Sequence, residues 1–294
     1  MDRPEVLVAV SNPEHVEQLV RSASDLARTM DGGVRIVSVV VKSHDSPFGV
    51  FSDETIIEEY SGDRRALLDR ASRVAPEDVP VDAEVLVARS VEDGLLRAVA
   101  EMGPAALLVG WHGGGRRRSD VVLGTSVDAL LRRAPCDVYV ERIGRIADGV
   151  DDVLLPVAGG PHVRPAAAMA KAVAAANDAS VTALAVAAPE DDRDRAAEWA
   201  ANGRAAVEAA PGPAVEVTAT VGEADDAIDA LVAAADDSDL VVFGATRAGT
   251  LQARLVGSVP RAVADRTDRT VLIARASEAA RTGLRGLIAG FRRR

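Results

Sequence analysis

The sequence predicts an α/β protein built as two tandem domains, each a five-stranded parallel sheet flanked by helices. Three observations carry that prediction. The chain has 294 residues, about two ordinary domains. Apolar residues make up 48% of it and aromatics only 3%, so its core is made of small Ala and Val side chains that let helices pack closely on a sheet. Short β-branched runs alternate with helical stretches, and the whole series occurs twice.

The elements can be read in order. Val6-Leu7-Val8-Ala9-Val10 matches Val153-Leu154-Leu155-Pro156-Val157, and each run ends in a polar or Gly-rich turn. The helix that follows has Val16, Leu19, Val20 and Leu26 on one face in the first copy; Ala166 to Ala176 is nearly all Ala, Met and Val in the second. The second strands match from Val34 and Val181. The third pair is Ala83-Glu84-Val85-Leu86-Val87 with Val215-Glu216-Val217-Thr218-Ala219. The fourth is Ala106 to Gly110 with Leu240 to Gly244, and the fifth is Asp137 to Val140 with Thr270 to Ile273. The register offset is 147 at Val10 and 134 at Gly110, so the first copy carries about 13 extra residues, placed between strands two and three around Ser43 to Tyr60. That excursion either covers a cleft or is a plain loop insertion. The boundaries are then 1–143 and 150–276, joined by a short linker, with 277–294 as a tail.

The densest chemistry follows the fourth strand. Gly110-Trp111-His112-Gly113-Gly114-Gly115-Arg116-Arg117-Arg118 runs on to Gly124-Thr125-Ser126. Glycines let a backbone approach an anion. A helix start offers N–H groups with partial positive charge, and the hydroxyls of Thr125 and Ser126 add donors. In an open parallel sheet the ligand belongs at the carboxyl ends of the strands, where this loop falls. No Gly-Lys-Ser/Thr follows, so the loop is not a Walker A motif. His112 reads as a histidine in a cleft that is a loop residue rather than a base, and Trp111 as a cap on the core. Cys136 reads as a buried thiol.

With these residues the whole chain resembles a tandem universal stress protein. ATP-binding members of that family show Gly-x2-Gly-x9-Gly-Ser/Thr after the fourth strand of a Rossmann-like, adenine nucleotide alpha hydrolase-like domain. The first copy has Gly110-x2-Gly113, then ten residues to Gly124-Thr125; the second has Gly244-x2-Arg247, then nine to Gly257-Ser258. The Asp that the family places after the first strand is Ser11 in one copy and Ala158 in the other. The resemblance implies a non-catalytic stress-response or regulatory protein. It would bind ATP, with Mg, or another adenine nucleotide in domain one through Ser11, Val40, Gly110, Gly113, Gly124, Thr125 and Ser126. A degenerate second site would hold Ala158, Gly244, Arg247, Gly257 and Ser258; Arg247 reads as filling the space of a phosphate, with a bidentate grip on a phosphate as the alternative. The resemblance also implies an internal pseudo-dimer through the last strands, Val138–Val140 against Val271–Ile273, and allows a homodimer.

Charge narrows the partners. The net charge is −11, which argues against nucleic acid; the basic residues are nearly all Arg. The acidic surface points to adaptation to high salt; a GC-rich genome with ordinary acidic solubility is the alternative. No signal peptide or spanning segment is read, so the expected location is cytoplasmic. No carboxylate pair or positioned base supports hydrolysis. The tail reverses the charge: Arg281, Arg285, Arg292, Arg293 and Arg294 accompany Leu284, Leu287, Ile288 and Phe291 at helical spacing. Its destination is the protein's own acidic body or a second chain, an anionic membrane surface, or a partner. The partner reading makes the chain an accessory subunit of a membrane transporter, since such domains also occur fused to transport proteins.

Overall fold

The computed structural model describes residues 3–42, 51–59, 61–111, 125–145, 149–188, 193–245 and 257–277. The first copy holds β1 (Glu5–Ala9), α1 (Val16–Thr29), β2 (Gly33–Val41), α2 (Asp53–Glu59), α3 (Gly62–Val74), β3 (Val81–Ala88), α4 (Val91–Met102), β4 (Ala106–Gly110), α5 (Thr125–Arg133) and β5 (Asp137–Arg142). The second holds β6 (Asp152–Pro156), α6 (Val163–Asn177), β7 (Ser180–Ala187), α7 (Arg193–Ala209), β8 (Val217–Glu223), α8 (Ala227–Asp236), β9 (Leu240–Gly244), α9 (Ser258–Arg266) and β10 (Thr270–Arg275).

Local chemistry sets several of these boundaries. Ser90 caps α4 by accepting from the Asp93 N–H at 3.2 Å, and Gly103, at φ 61°, ends the helix in the left-handed region. Asp226 caps α8 through the N–H groups of Ile228 and Asp229. The apolar stripe of α1, with Val16, Leu19, Val20, Ala23 and Leu26, is buried.

The strands run in the order β3-β2-β1-β4-β5-β10-β9-β6-β7-β8. All ten bond into one sheet, yet from either edge the order is third, second, first, fourth, fifth strand of a copy. Direction reverses at one place, the antiparallel β5–β10 seam, where Val140 opposes Ile273 and Val138 opposes Arg275. The last strands of the two copies therefore meet as the sequence implies. One core layer, including residues of α1 and α6, runs across the seam on one face, and a second, including residues of α5 and α9, runs across it on the other.

The pairing corrects one sequence match. Val34 pairs Val81, and Val181, its counterpart, pairs Val217, so Ala83 corresponds to Ala219 rather than to Val215. Both strands lie on the sheet's edges, where the apolar pattern is weak: β8 has no buried residue. The offset at the third strand becomes 136, which leaves 11 of the 13 extra residues between strands two and three. There α2 buries Ile56 against Val40 and Val87, and Lys42 ties it down by donating to the Phe51 carbonyl at 2.6 Å and to Asp53 at 3.1 Å. In the second copy the same interval contains the single helix α7.

Candidate functional site

In each copy the first strand lies between the second and the fourth, and the chain leaves β1 and β4 in opposite directions across the sheet. A crevice opens at the carboxyl ends of such a pair. In the first copy Ser11 stands exposed beyond β1, Gly110 ends β4, and Thr125 and Ser126 start α5. Arg64 of α3 donates to the Ser11 carbonyl at 3.3 Å. Gly113, Gly124, His112 and Arg116 to Arg118 lie outside the described residues.

Three of the sequence-predicted residues have further work to do. A Cβ on Gly110 would come within 3.2 Å of Leu19 Cδ1, so this glycine also admits α1 to the sheet. The Val40 side chain is buried beneath Ile56, so the excursion after β2 covers this position. Ser126 Oγ donates to Glu92 Oε2 at 2.7 Å. That bond holds the Glu92 carboxyl below the usual range, and places an anion beside the first turn of α5. Trp111 is buried in the core, as expected for a cap, with its backbone N–H donating to the Glu141 carbonyl. Cys136 is buried too, and burial pushes its thiol up to about 11, far from a reactive thiolate.

In the second copy Gly159 after β6 and Gly244 at the end of β9 are closely packed. Gly244 sits under the start of α6: a Cβ there would lie 2.9 Å from the His162 carbonyl carbon and oxygen. His162, at the cap of α6, accepts from the Ala276 N–H through Nδ1 at 3.0 Å. Gly159, at φ 74°, faces Trp199, whose Nε1 would be 2.9 Å from an added Cβ. Trp199 is itself stacked by Arg195. Ala158 is exposed, Gly257 is buried at the cap of α9, and Ser258 is exposed; Arg247 lies outside the described residues. His162, packed against Gly244, was not singled out in the sequence. His15 and His162 hold the same place in the repeat, 147 residues apart, and that offset was the signal. Trp199 and Glu92 carry no motif.

Among the described residues no three His, Cys, Asp or Glu side chains gather as metal ligands, and no helix is long and apolar enough to cross a membrane.

Comparison with known proteins gives the family. The profile of the universal stress protein family matches residues 3–142 and 149–275. The functionally unknown protein PA1789 of Pseudomonas aeruginosa PAO1 is similar in structure, with a TM-score of 0.64, 16% identity, and 95% of each chain covered. A universal stress protein from Archaeoglobus fulgidus is similar at a TM-score of 0.63 and 14% identity, over 95% of this chain and 98% of that one. At these identities the likeness shows the fold. The chain finds no match among curated proteins.

Proposed function

The chain belongs to the universal stress protein family in both halves, and from that premise we propose a non-catalytic regulatory protein whose first domain binds an adenine nucleotide and whose second does not. The observation that carries the reading is the contrast between the two switch points. Beyond β1 and β4 the chain presents Ser11 and the first turn of α5, with an exposed Thr125. Beyond β6 the exposed Ala158 stands where the first copy has Ser11, and Trp199 packs against Gly159. Thr125 and the N–H groups of α5 would hold phosphates there. Ser126 would join them only by leaving Glu92.

The Glu92 contact also supports a second reading, a regulatory subunit with little nucleotide affinity, because an anion at the phosphate end repels the ligand. Titration calorimetry with ATP, AMP and cyclic AMP separates the two. On the first reading an adenine nucleotide binds, Gly124→Arg abolishes binding, and Glu92→Gln tightens it severalfold. Absence of heat from every nucleotide in both the parent and Glu92→Gln would overturn nucleotide binding in favour of the second reading.

A further inference from the structure

The two copies bury their seam unequally, and the difference identifies where the C-terminal segment goes. After β5 the chain crosses the seam. The Gly144 N–H donates to Thr270 Oγ1 at 3.1 Å, and the Arg145 N–H donates to the Asp268 carbonyl at 2.6 Å. A Cβ on Gly144 would collide with that carbonyl, which shows how closely the linker lies on the turn before β10. Ile143 and Val150 pack on the core. The crevice beside them, between α1, α6 and the start of β9, retains only about 30 Å³.

The repeat demands a counterpart on the other side of the seam. It lies between α6, α1 and the start of β4, and it is an open groove of about 870 Å³. Its lining matches position by position: Leu26, Met30 and Ala106 stand where Val173, Asn177 and Leu240 line the closed crevice. Two substitutions enlarge it, since Pro165 and Ala168 occupy the places of Gln18 and Arg21. The chain also enters it in the same way. The Ser277 N–H donates to Asp137 Oδ1 at 2.6 Å, and Ser277 and Asp137 correspond to Gly144 and Thr270. Ser277 itself lines the groove.

We propose that residues 278–294, which lie outside the described part of the chain, fold back into this groove as the linker does into its counterpart. The spacing agrees. Val150 follows Gly144 by six residues, and Leu284, the first large apolar residue of the tail, follows Ser277 by seven. Leu284, Leu287, Ile288 and Phe291 supply one apolar face for a groove lined largely by Leu, Met, Ala and Pro. The five arginines of the segment then remain outward, on a chain whose net charge is −11.

Limited trypsin digestion of the full chain tests this. Cleavage after Arg281 and Arg285 tracks the undocked population. Ala168→Arg, which restores the residue type found at Arg21, should fill the groove and speed those cuts by about tenfold, with circular dichroism confirming the fold. Equal rates in a folded variant overturn the proposal. Protection of the parent that arises only on adding phosphatidylserine vesicles overturns it in favour of a membrane. A cysteine pair, Ala168→Cys with Leu287→Cys in a Cys136→Ala background, gives a readout that does not depend on that variant. In dilute solution the pair should form a disulfide within one chain. A disulfide formed only between chains would assign the groove to a second copy, and none at all would leave the tail elsewhere; either result sinks the idea.

Discussion

Replacing Glu141 with Gln should remove most of the loss of stability that this protein suffers as pH rises from 5 to 8. Glu141 lies on β5 at the seam, fully buried, facing α1. Its Oε1 accepts from Ser22 Oγ at 3.2 Å, and its Oε2 has no hydrogen-bond partner among the described residues. Burial, opposed by hydrogen bonds from Gln18 and Ser22 and aided by the charge of Asp25, raises its carboxyl from 4.5 to about 8. The folded chain therefore keeps a proton that the unfolded chain has released throughout that interval. Stability contributed by the protonated form is complete below pH 4.5 and is lost as pH climbs to 8. The loss is about 1.4 kcal/mol per pH unit, or about 5 kcal/mol once pH 8 is passed, as an upper bound. An amide of the same shape carries no such charge. Urea midpoints of the two proteins should differ by under about 1 kcal/mol at pH 5 and diverge steadily above it, with the variant more stable. Asp25, raised by burial to about 7 despite Arg28 at 3.3 Å, leaves a smaller slope of the same sign in the variant. Midpoints that fall equally with pH in both proteins would refute the assignment of the slope to Glu141.

Two other substitutions follow from the packing. Gly244→Ala presses a methyl on the His162 backbone and should cost about 1–3 kcal/mol in urea unfolding, while Gly110→Ala meets only the mobile end of Leu19 and should cost under about 1 kcal/mol. Arg275 reaches across the seam from β10 and donates to the Ala134 carbonyl at 2.7 Å at the end of α5, so Arg275→Met should cost about 2 kcal/mol, read from the same titration.

Much of this architecture was legible because it is written locally. Alternating apolar runs with a recurring register placed four of the five strand pairs, and the resemblance brought the last strands together, though not their register, in which Val138 opposes Arg275. The third pair was misaligned because an edge strand has one weakly apolar face and little pattern to read. Site chemistry fared less evenly. Ser126 reads in sequence as a phosphate donor, yet its hydroxyl goes to Glu92, 34 residues away, and no spacing rule links them. Ser22 and Glu141 are 119 residues apart and meet only because β5 lies at the seam beneath α1. The missing glycine and acid read as degeneracy in the sequence, while the packing of Trp199 on Gly159 and of His162 on Gly244 follows no motif.

The asymmetry itself has a physical reading. In a dimer of identical chains each seam residue must serve both sides of the two-fold axis, so a buried carboxylate on one last strand would be buried on the other as well. Here Glu141 has Ala274 as its counterpart, and Gln18 and Arg21 have Pro165 and Ala168. One half is thus free to bury a titrating group while the other stays apolar. The connection between the halves accounts for the rest. A linker must cross the seam once to join β5 to β6, and it closes one of two equivalent crevices. The other crevice stays open beside the end of β10, with Pro165 and Ala168 where the closed one has Gln18 and Arg21. A homodimer of separate domains would have two like grooves, whereas here the linker closes one crevice and leaves its counterpart open.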